Sequence, residues 1–262
     1  MRMRKLIYLI ILLSFSITVW AQDEEGFLKR EFIHKGDTLR YRILYPKVYD
    51  VSKSYPMVLF LHGAGERGRD NEKQLIHGSK LFLDEKFRRE YPAIVIFPQC
   101  PEEDFWASVK FTTTAEGKRE FTFADRGEPT KSMGLLIEFI KHVQKTEPVN
   151  PQRLYVGGLS MGGMGTFELL WRMPKTFVAA FPICGGGNPD MAKKYAKHVN
   201  LWIFHGADDA VVPVSLSEQM AEAIKKYGGN PKLTIYPGVN HNSWDNTFAE
   251  PELMEWLFNQ MK

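Results

Sequence analysis

Cysteine is scarce: Cys100 and Cys184 are the two in 262 residues. That excludes a scaffold stapled by several disulfides and leaves no thiols for a clustered Cys/His metal site. Both end apolar, strand-like runs, and free cysteine behaves as a small buried hydrophobe, so two buried thiols are expected, although one bridge is chemically allowed after export. There is no H-E-x-x-H and no acidic cage, so no metal is expected, and no cofactor is implied. The loop His62-Gly63-Ala64-Gly65 lacks the G-K-[ST] that completes a nucleotide phosphate cradle. An excess of one charge is missing too. Lys plus Arg number 34 against 31 Asp plus Glu, and setting aside Arg2, Arg4 and Lys5 of the leader leaves 31 against 31. A chain without a basic excess is a poor partner for nucleic acid. Repeats, low-complexity tracts and Pro/Gly/Ser linkers are absent, so residues 22–262 are expected to form one domain.

The longest apolar run, Leu6 to Trp20, has 15 residues and contains Ser14, Ser16 and Thr18. It falls short of the roughly 20 needed to span a bilayer. With Arg2, Arg4 and Lys5 before it and Val19-Trp20-Ala21 after it, residues 1–21 read as a cleavable signal peptide. No cysteine follows to carry a lipid. The mature protein is expected to be secreted or periplasmic, with no stable membrane anchor, and the oligomeric state is not encoded in any pattern found.

What is present is the composition of a globular protein, 44% hydrophobic and 25% charged. Phe27 to Tyr45 alternates apolar and polar residues, as a half-buried antiparallel edge hairpin does. Continuous apolar runs then follow at Met57–Leu61, Ala93–Phe97, Leu154–Val156, Phe177–Phe181, Leu201–Phe204 and Leu233–Tyr236, which suits strands buried on both faces of a parallel sheet. Helical patterns cover Met133–Gln144, Gly163–Met173, Ser215–Lys226 and Glu250–Met261. The alternation predicts an α/β fold: a mostly parallel central sheet, an N-terminal antiparallel edge hairpin and helices on both faces. Residues 101–130 lack clear periodicity and read as a long loop over the sheet, with a short hairpin around Arg119–Phe123; such loops border sites.

The sharpest local signal is Leu154-Tyr155-Val156-Gly157-Gly158-Leu159-Ser160-Met161-Gly162-Gly163. A strand runs into a helix through G-x-S-x-G, which lifts a serine onto a tight turn at the strand ends. A serine hydroxyl is a weak nucleophile at neutral pH and needs a base, normally a histidine oriented by a carboxylate. Of seven histidines, His34, His62 and His77 precede the serine. His142 lies on a charged helical pattern, His198 in a basic segment, and His205 follows a buried strand in a setting that favours a packed structural role. His241, in a loop after the last strand, is the candidate base. For the carboxylate, Asp190, Asp208 and Asp209 lie between serine and histidine. The pair Asp208-Asp209 sits at the carboxyl end of a strand, where groups gather in open α/β sheets, and side-chain chemistry alone barely separates its members.

Three motifs, Gly158–Gly163, His205-Gly206-Ala207-Asp208-Asp209-Ala210-Val211-Val212-Pro213 and the late His241, resemble the α/β-hydrolase superfamily in its order serine, acid, histidine. Leu61–Gly68, Pro98–Pro101 and Pro182–Gly187 narrow the resemblance to its secreted esterase branch: feruloyl and acetyl xylan esterases, dienelactone hydrolase-like proteins and polyhydroxyalkanoate depolymerases. The resemblance covers essentially the whole chain after the leader. It implies Ser160, Asp209 and His241 as catalytic residues, with Asp209 as the fifth residue of H-G-x-x-D-x-V-V-P. It also implies an oxyanion hole from the backbone N–H groups of Ala64 and Met161. Gln99, Trp106 and Trp244 are candidate substrate contacts.

The expected activity is that of a serine carboxylic-ester hydrolase acting through an acyl-enzyme on an ester that is polysaccharide-linked, with feruloyl or acetyl groups suggested by the resemblance. A serine peptidase or amidase of the prolyl oligopeptidase type shares the triad, but the chain has no room for a propeller. A carbohydrate-binding protein on a hydrolase scaffold would have no reason to keep serine, acid and histidine in register.

Overall fold

A computed structural model describes residues 26–115, 117 and 119–262. The signal-peptide expectation, residues 1–21, lies outside the described residues. Among the described residues no helix is long and apolar enough to cross a membrane.

Strands β1 (Leu28–His34), β2 (Asp37–Leu44), β3 (Tyr55–Leu61), β4 (Ile94–Gln99), β7 (Val149–Leu159), β8 (Ala179–Ile183), β9 (Asn200–Gly206) and β10 (Lys232–Tyr236) form an eight-stranded sheet in the order β1-β2-β4-β3-β7-β8-β9-β10, and β5 (Val109–Thr113) with β6 (Arg119–Phe123) form a separate hairpin. β1 and β2 are antiparallel, and β2 pairs antiparallel with β4. From β4 through β10 every pairing is parallel. The helices are α1 (Ser79–Leu83), α2 (Glu85–Glu90), α3 (Lys131–Thr146), α4 (Met161–Arg172), α5 (Ser215–Lys226), α6 (Trp244–Phe248) and α7 (Leu253–Phe258).

The continuous apolar runs follow from the sheet being covered on both faces. Met57, Leu59 and Leu61 of β3 join one core with Met133 of α3, Phe167 of α4 and Met220 of α5. Val58 and Phe60, pointing the other way, join a second core with Phe82 of α1, Phe87 of α2 and Leu257 of α7. A strand between two cores needs apolar residues at every position, and all seven residues of β3 are buried. β1, at the sheet edge, alternates half-buried and exposed positions instead.

The expected architecture is present, with local differences. The helix expected over Glu250–Met261 is shorter at both ends: α7 runs from Leu253, two residues past Pro251, to Phe258. The strand expected at Phe177–Phe181 is displaced to Ala179–Ile183. The short α1 and α2 gave no periodic signal, since each spans less than two turns.

His62, directly after β3, is buried at 1% exposure. Its Nδ1–H donates to Gly63 O at 2.6 Å, and its Nε2 accepts from the Cys100 amide at 3.0 Å. The ring therefore ties the exit of β3 to the exit of β4 and is needed neutral. Burial, the largest influence, pushes its pKa down from 6.5 to about 4. An unfolded chain takes up this proton from pH 6.5 downward while the native state refuses it until about pH 4. Stability due to His62 is thus complete above pH 6.5 and is lost as pH falls toward 4, by roughly 3 kcal/mol. Urea unfolding at pH 7.5 and 4 measures that difference, and His62→Gln should show a smaller one.

Cys100 and Cys184 are both free and buried. Burial pushes the Cys100 thiol up to about 12 and raises Cys184 further. Native protein is therefore expected to show no rapid reaction with a disulfide reagent, and denatured protein to titrate both thiols without prior reduction.

Candidate active site

At the turn from β7 into α4, Ser160 adopts φ 53° and ψ −114°, a left-handed conformation for a residue with a side chain. The turn is held where three chain segments nearly touch. A Cβ on Gly162 would lie 1.9 Å from Leu61 O, and one on Gly158 would lie 2.4 Å from Gly162 O. Those two positions admit glycine alone, because backbone blocks the space and cannot give way as a side chain can. The Ser160 amide donates to Ile183 O at 2.9 Å, fixing the turn to β8, and Ser160 O accepts from Met164 N at 3.0 Å to start the helix.

The seryl Oγ lies 3.0 Å from His241 Nε2, and His241 Nδ1 lies 2.8 Å from Asp209 Oδ2. An imidazole with its proton on Nδ1 donates to the carboxylate and accepts from the serine hydroxyl. The Asp209 side chain is fully buried, while 19% of the His241 side chain remains exposed. Four N–H groups converge on the carboxylate: the Val211 and Val212 amides on Oδ1, each at 2.8 Å, and His241 and His205 on Oδ2. Burial alone pushes the Asp209 carboxyl up. The donors from His205, His241 and Val212 outweigh it and hold the carboxyl well below the usual carboxylate range. The neighbour, Asp208, donates its amide to Val239 O at 3.0 Å instead. Cys184 places its thiol beside this pair, with ligand atoms of Cys184, Asp209 and His241 within 4.8 Å of one another. The carboxylate there is already committed to its donors, and burial keeps the thiol protonated.

The loops carrying acid and histidine are stitched together by backbone. Ala207 N donates to Tyr236 O at 2.9 Å, beside the Asp208 bond to Val239 O. Asn240 Oδ1 closes the third link, accepting from Ala210 N at 3.0 Å and from His241 N at 2.7 Å. Asn240 was not singled out in the sequence; its place next to a candidate base was the signal available. On the other side the Trp244 ring stands 5.4 Å from His241, edge to face at 84°. That tryptophan steadies the imidazole.

Ala64 opens a 3₁₀ turn (Ala64–Glu66) and Met161 opens α4. First-turn amides have no intrahelical acceptor, and an α-helix start favours negative charge. Both residues line, with Ser160, a cleft of about 410 Å³ walled by Phe105, Phe111, Phe121, Met164, Val211 and Val212. Arg67 joins the Ala64 turn to the far wall, donating through Nε to Ala64 O at 3.0 Å and through Nη1 to Glu102 O at 2.9 Å. The β5–β6 hairpin supplies Phe111 and Phe121. Its foot is pinned to α4 by Glu168, which accepts from the Ser108 amide at 2.6 Å and from Arg172 Nε at 2.8 Å.

One candidate substrate contact, Trp106, is corrected, and another, Gln99, lies at a different cleft. Trp106 is fully buried, packed edge-on against His62 at 5.5 Å and over Gly165, so it forms part of the core beneath the cleft. Gln99 is 2% exposed; it accepts from Asn71 N at 2.7 Å and donates to Asp70 Oδ1 at 3.0 Å, bracing the 66–71 loop. It borders a second, polar cleft of about 560 Å³ over β2 and the start of α3, which shares Glu103 and Asp104 with the first. The aromatic wall was hidden in sequence inside the aperiodic stretch 101–130.

Comparison with known proteins agrees with this geometry. A probable SOBER1-like carboxylesterase of Arabidopsis thaliana is 23% identical over 223 residues, covering 80% of this chain and 81% of its own length. Among solved structures, a thermostable esterase is similar with a TM-score of 0.79 and 32% identity over 91% of this chain. This chain spans 64% of that structure's length. A ferulic acid esterase of Anaeromyces mucronatus shares the fold at TM-score 0.63 and 15% identity, over 89% of this chain and 90% of its own. The family description phospholipase/carboxylesterase matches residues 48–252, a stretch that contains the Ser160 turn, the Ala64 turn, the start of α4 and the Asp209 and His241 loops. The chain therefore belongs to the phospholipase/carboxylesterase family of α/β-hydrolases, hydrolases of carboxylesterase type.

Proposed function

We propose that the protein is a secreted serine carboxylic-ester hydrolase, with Ser160, His241 and Asp209 as its triad, acting through an acyl-enzyme on feruloyl or acetyl esters of plant polysaccharide. The observation that carries this reading is the unbroken hydrogen-bond chain from Asp209 through His241 to Ser160 Oγ, opening into a cleft beside the Ala64 and Met161 amides. His241 Nε2 takes the hydroxyl proton as Oγ attacks the ester carbonyl, and Asp209 stabilises the imidazolium that forms. Negative charge develops on the carbonyl oxygen, where the two amides serve as the oxyanion hole; one such donor contributes about 10² to 10³ in rate. His241 returns the proton to the departing alcohol. Water then enters and the same groups run the sequence in reverse to free the acid.

The cleft is far larger than an acetyl group requires. Its wall of Phe105, Phe111 and Phe121 suits an aryl acyl group, which favours feruloyl over acetyl esters. The adjoining polar cleft leaves room for a sugar-bearing part of the substrate. The ferulic acid esterase named above supports the choice by likeness of fold. Secretion or periplasmic export rests on residues 1–21.

Purified mature protein should hydrolyse methyl ferulate with a higher kcat/KM than a short acetyl ester, and leave a peptide anilide intact. Ser160→Ala should abolish both ester activities. Anilide cleavage would establish a peptidase, and no turnover at all would favour a binding protein.

The acid is assigned by a second comparison. Asp209→Ala should cost about 10³ to 10⁴ in kcat, whereas Asp208→Ala should stay within about threefold of wild type. The reverse ranking would move the acid to Asp208. Asn240→Ala should lower kcat about 10-fold with little change in KM, since it frees the histidine loop without touching the cleft wall. Steady-state kinetics on methyl ferulate measures all three.

A further inference from the structure

His205, in β9, is fully buried, and ester hydrolysis by one serine, one histidine and one acid has no step for a second imidazole. Yet its Nε2 lies 3.2 Å from Asp209 Oδ2, the oxygen that also accepts from His241 Nδ1. It lies 2.9 Å from Val212 O as well. Both of these neighbours are acceptors, so Nε2 carries a proton and shares it between them. At the opposite corner of the ring, Nδ1 is 2.7 Å from Ser217 Oγ of α5, which in turn lies 3.2 Å from Gly185 O after β8. The ring is thus fixed at both nitrogens. A packed structural histidine needs a partner at each nitrogen, but it has no need to place one of them on the oxygen that His241 uses.

We propose that His205 is a positioning residue for the reaction: it holds Asp209 Oδ2 in register with the His241 ring and takes a share of its negative charge, which moderates the pull of the carboxylate on the imidazolium formed during the reaction. The proposal rests on the triad reading above. The titratable groups facing the carboxylate are His205 from β9, His241 from the loop after β10, and the Cys184 thiol from the end of β8, which burial keeps neutral. From α5 the facing group is the Ser217 hydroxyl, reaching the carboxylate through His205. A carboxylate relieved of one N–H donor attracts the remaining imidazolium more strongly. Removing His205 therefore strengthens the pull of the carboxylate on the imidazolium, which should move the acid limb of the rate profile upward, while loosening the carboxylate slows the chemical step.

The test is the pH dependence of kcat/KM on methyl ferulate for wild type, His205→Leu, His205→Gln and Ser217→Ala, each normalised to sites titrated with a serine-reactive phosphonate. His205→Leu should lower kcat about 10-fold with KM within about twofold, and move the acid limb upward by about half a pH unit or more. His205→Gln, whose amide N–H reaches toward the same oxygen, should bring the limb back toward wild type. Ser217→Ala should move it in the same direction as Leu by a smaller amount. An acid limb unmoved in His205→Leu, with activity loss that follows the fraction of titratable sites, would reduce His205 to packing. Should His205→Leu fail to fold, an unmoved limb in Ser217→Ala overturns the proposal. Failure of the triad reading itself shows differently, as turnover that survives Ser160→Ala.

Discussion

The left-handed backbone at Ser160 is unfavourable for a residue with a side chain, by about 1 to 3 kcal/mol, and something has to hold it there. What holds it is backbone crowding: the start of α4 presses so closely on the end of β3 that Gly162 sits against Leu61 O with no space for a methyl group. The same contact sets the distance between two other parts. The residues after Leu61 form the turn that carries Ala64, and the residue before Gly162 is Met161. One approach of two chain segments therefore fixes Ser160 and both the Ala64 and Met161 amides beside the cleft. None of the three depends on a flexible side chain for its position.

Sheet order supplies the rest. β7 carries Ser160 at its end, and β8, β9 and β10 follow in spatial sequence, so the acid and histidine loops emerge on one side of the serine while the Ala64 turn, after β3, emerges on the other. Between the acid loop and the histidine loop the links run backbone to backbone, with Asn240 adding a side-chain bridge. Buried in the middle, Asp209 would be costly as a lone charge. Four N–H donors make it tolerable, and they come from the turn that follows it and from two histidines on different elements. Its ionisation and its orientation are set by the same contacts.

Much of this was legible in the sequence because it is local. The strand, the turn and the helix around Ser160 occupy consecutive residues, and the glycines that mark the turn are forced by contacts within it and with Leu61. Parallel strands betrayed themselves as unbroken apolar runs because both faces are covered. The choice between Asp208 and Asp209 was not local: two adjacent carboxylates are chemically alike, and a family resemblance had to choose the one that the structure pairs with His241. Trp106 failed as a substrate contact for a related reason. An aromatic or amide residue near a strand end reads the same whether it faces a cleft or fills the space beneath it, and Trp106 turns inward to pack against His62 and Gly165. The helix expected over Glu250–Met261 kept its apolar spacing but not its length, since apolar periodicity carries no sharp signal for where a helix starts and stops.

The groups around Ser160 and the groups that shape the cleft are attached to the fold in different ways. Ser160, Ala64 and Met161 are fixed by backbone contacts in the sheet's interior. Phe111 and Phe121 stand on a hairpin outside the main sheet, joined to it by the Glu168 carboxylate, which receives Ser108 N–H and Arg172 Nε–H at once. Apolar packing is weakly directional and would let such a hairpin slide. A buried carboxylate with three fixed donors, the Ser108 hydroxyl among them, does not, because any slide leaves it without its partners. The hairpin can therefore vary along its length, and with it the cleft's width and aromatic content, while its foot stays at one distance from the helix that begins at Met161. The shape of the cleft is in this way separable from the geometry at Ser160, with Glu168 and the Asn188 bond to Phe123 O as the points of attachment.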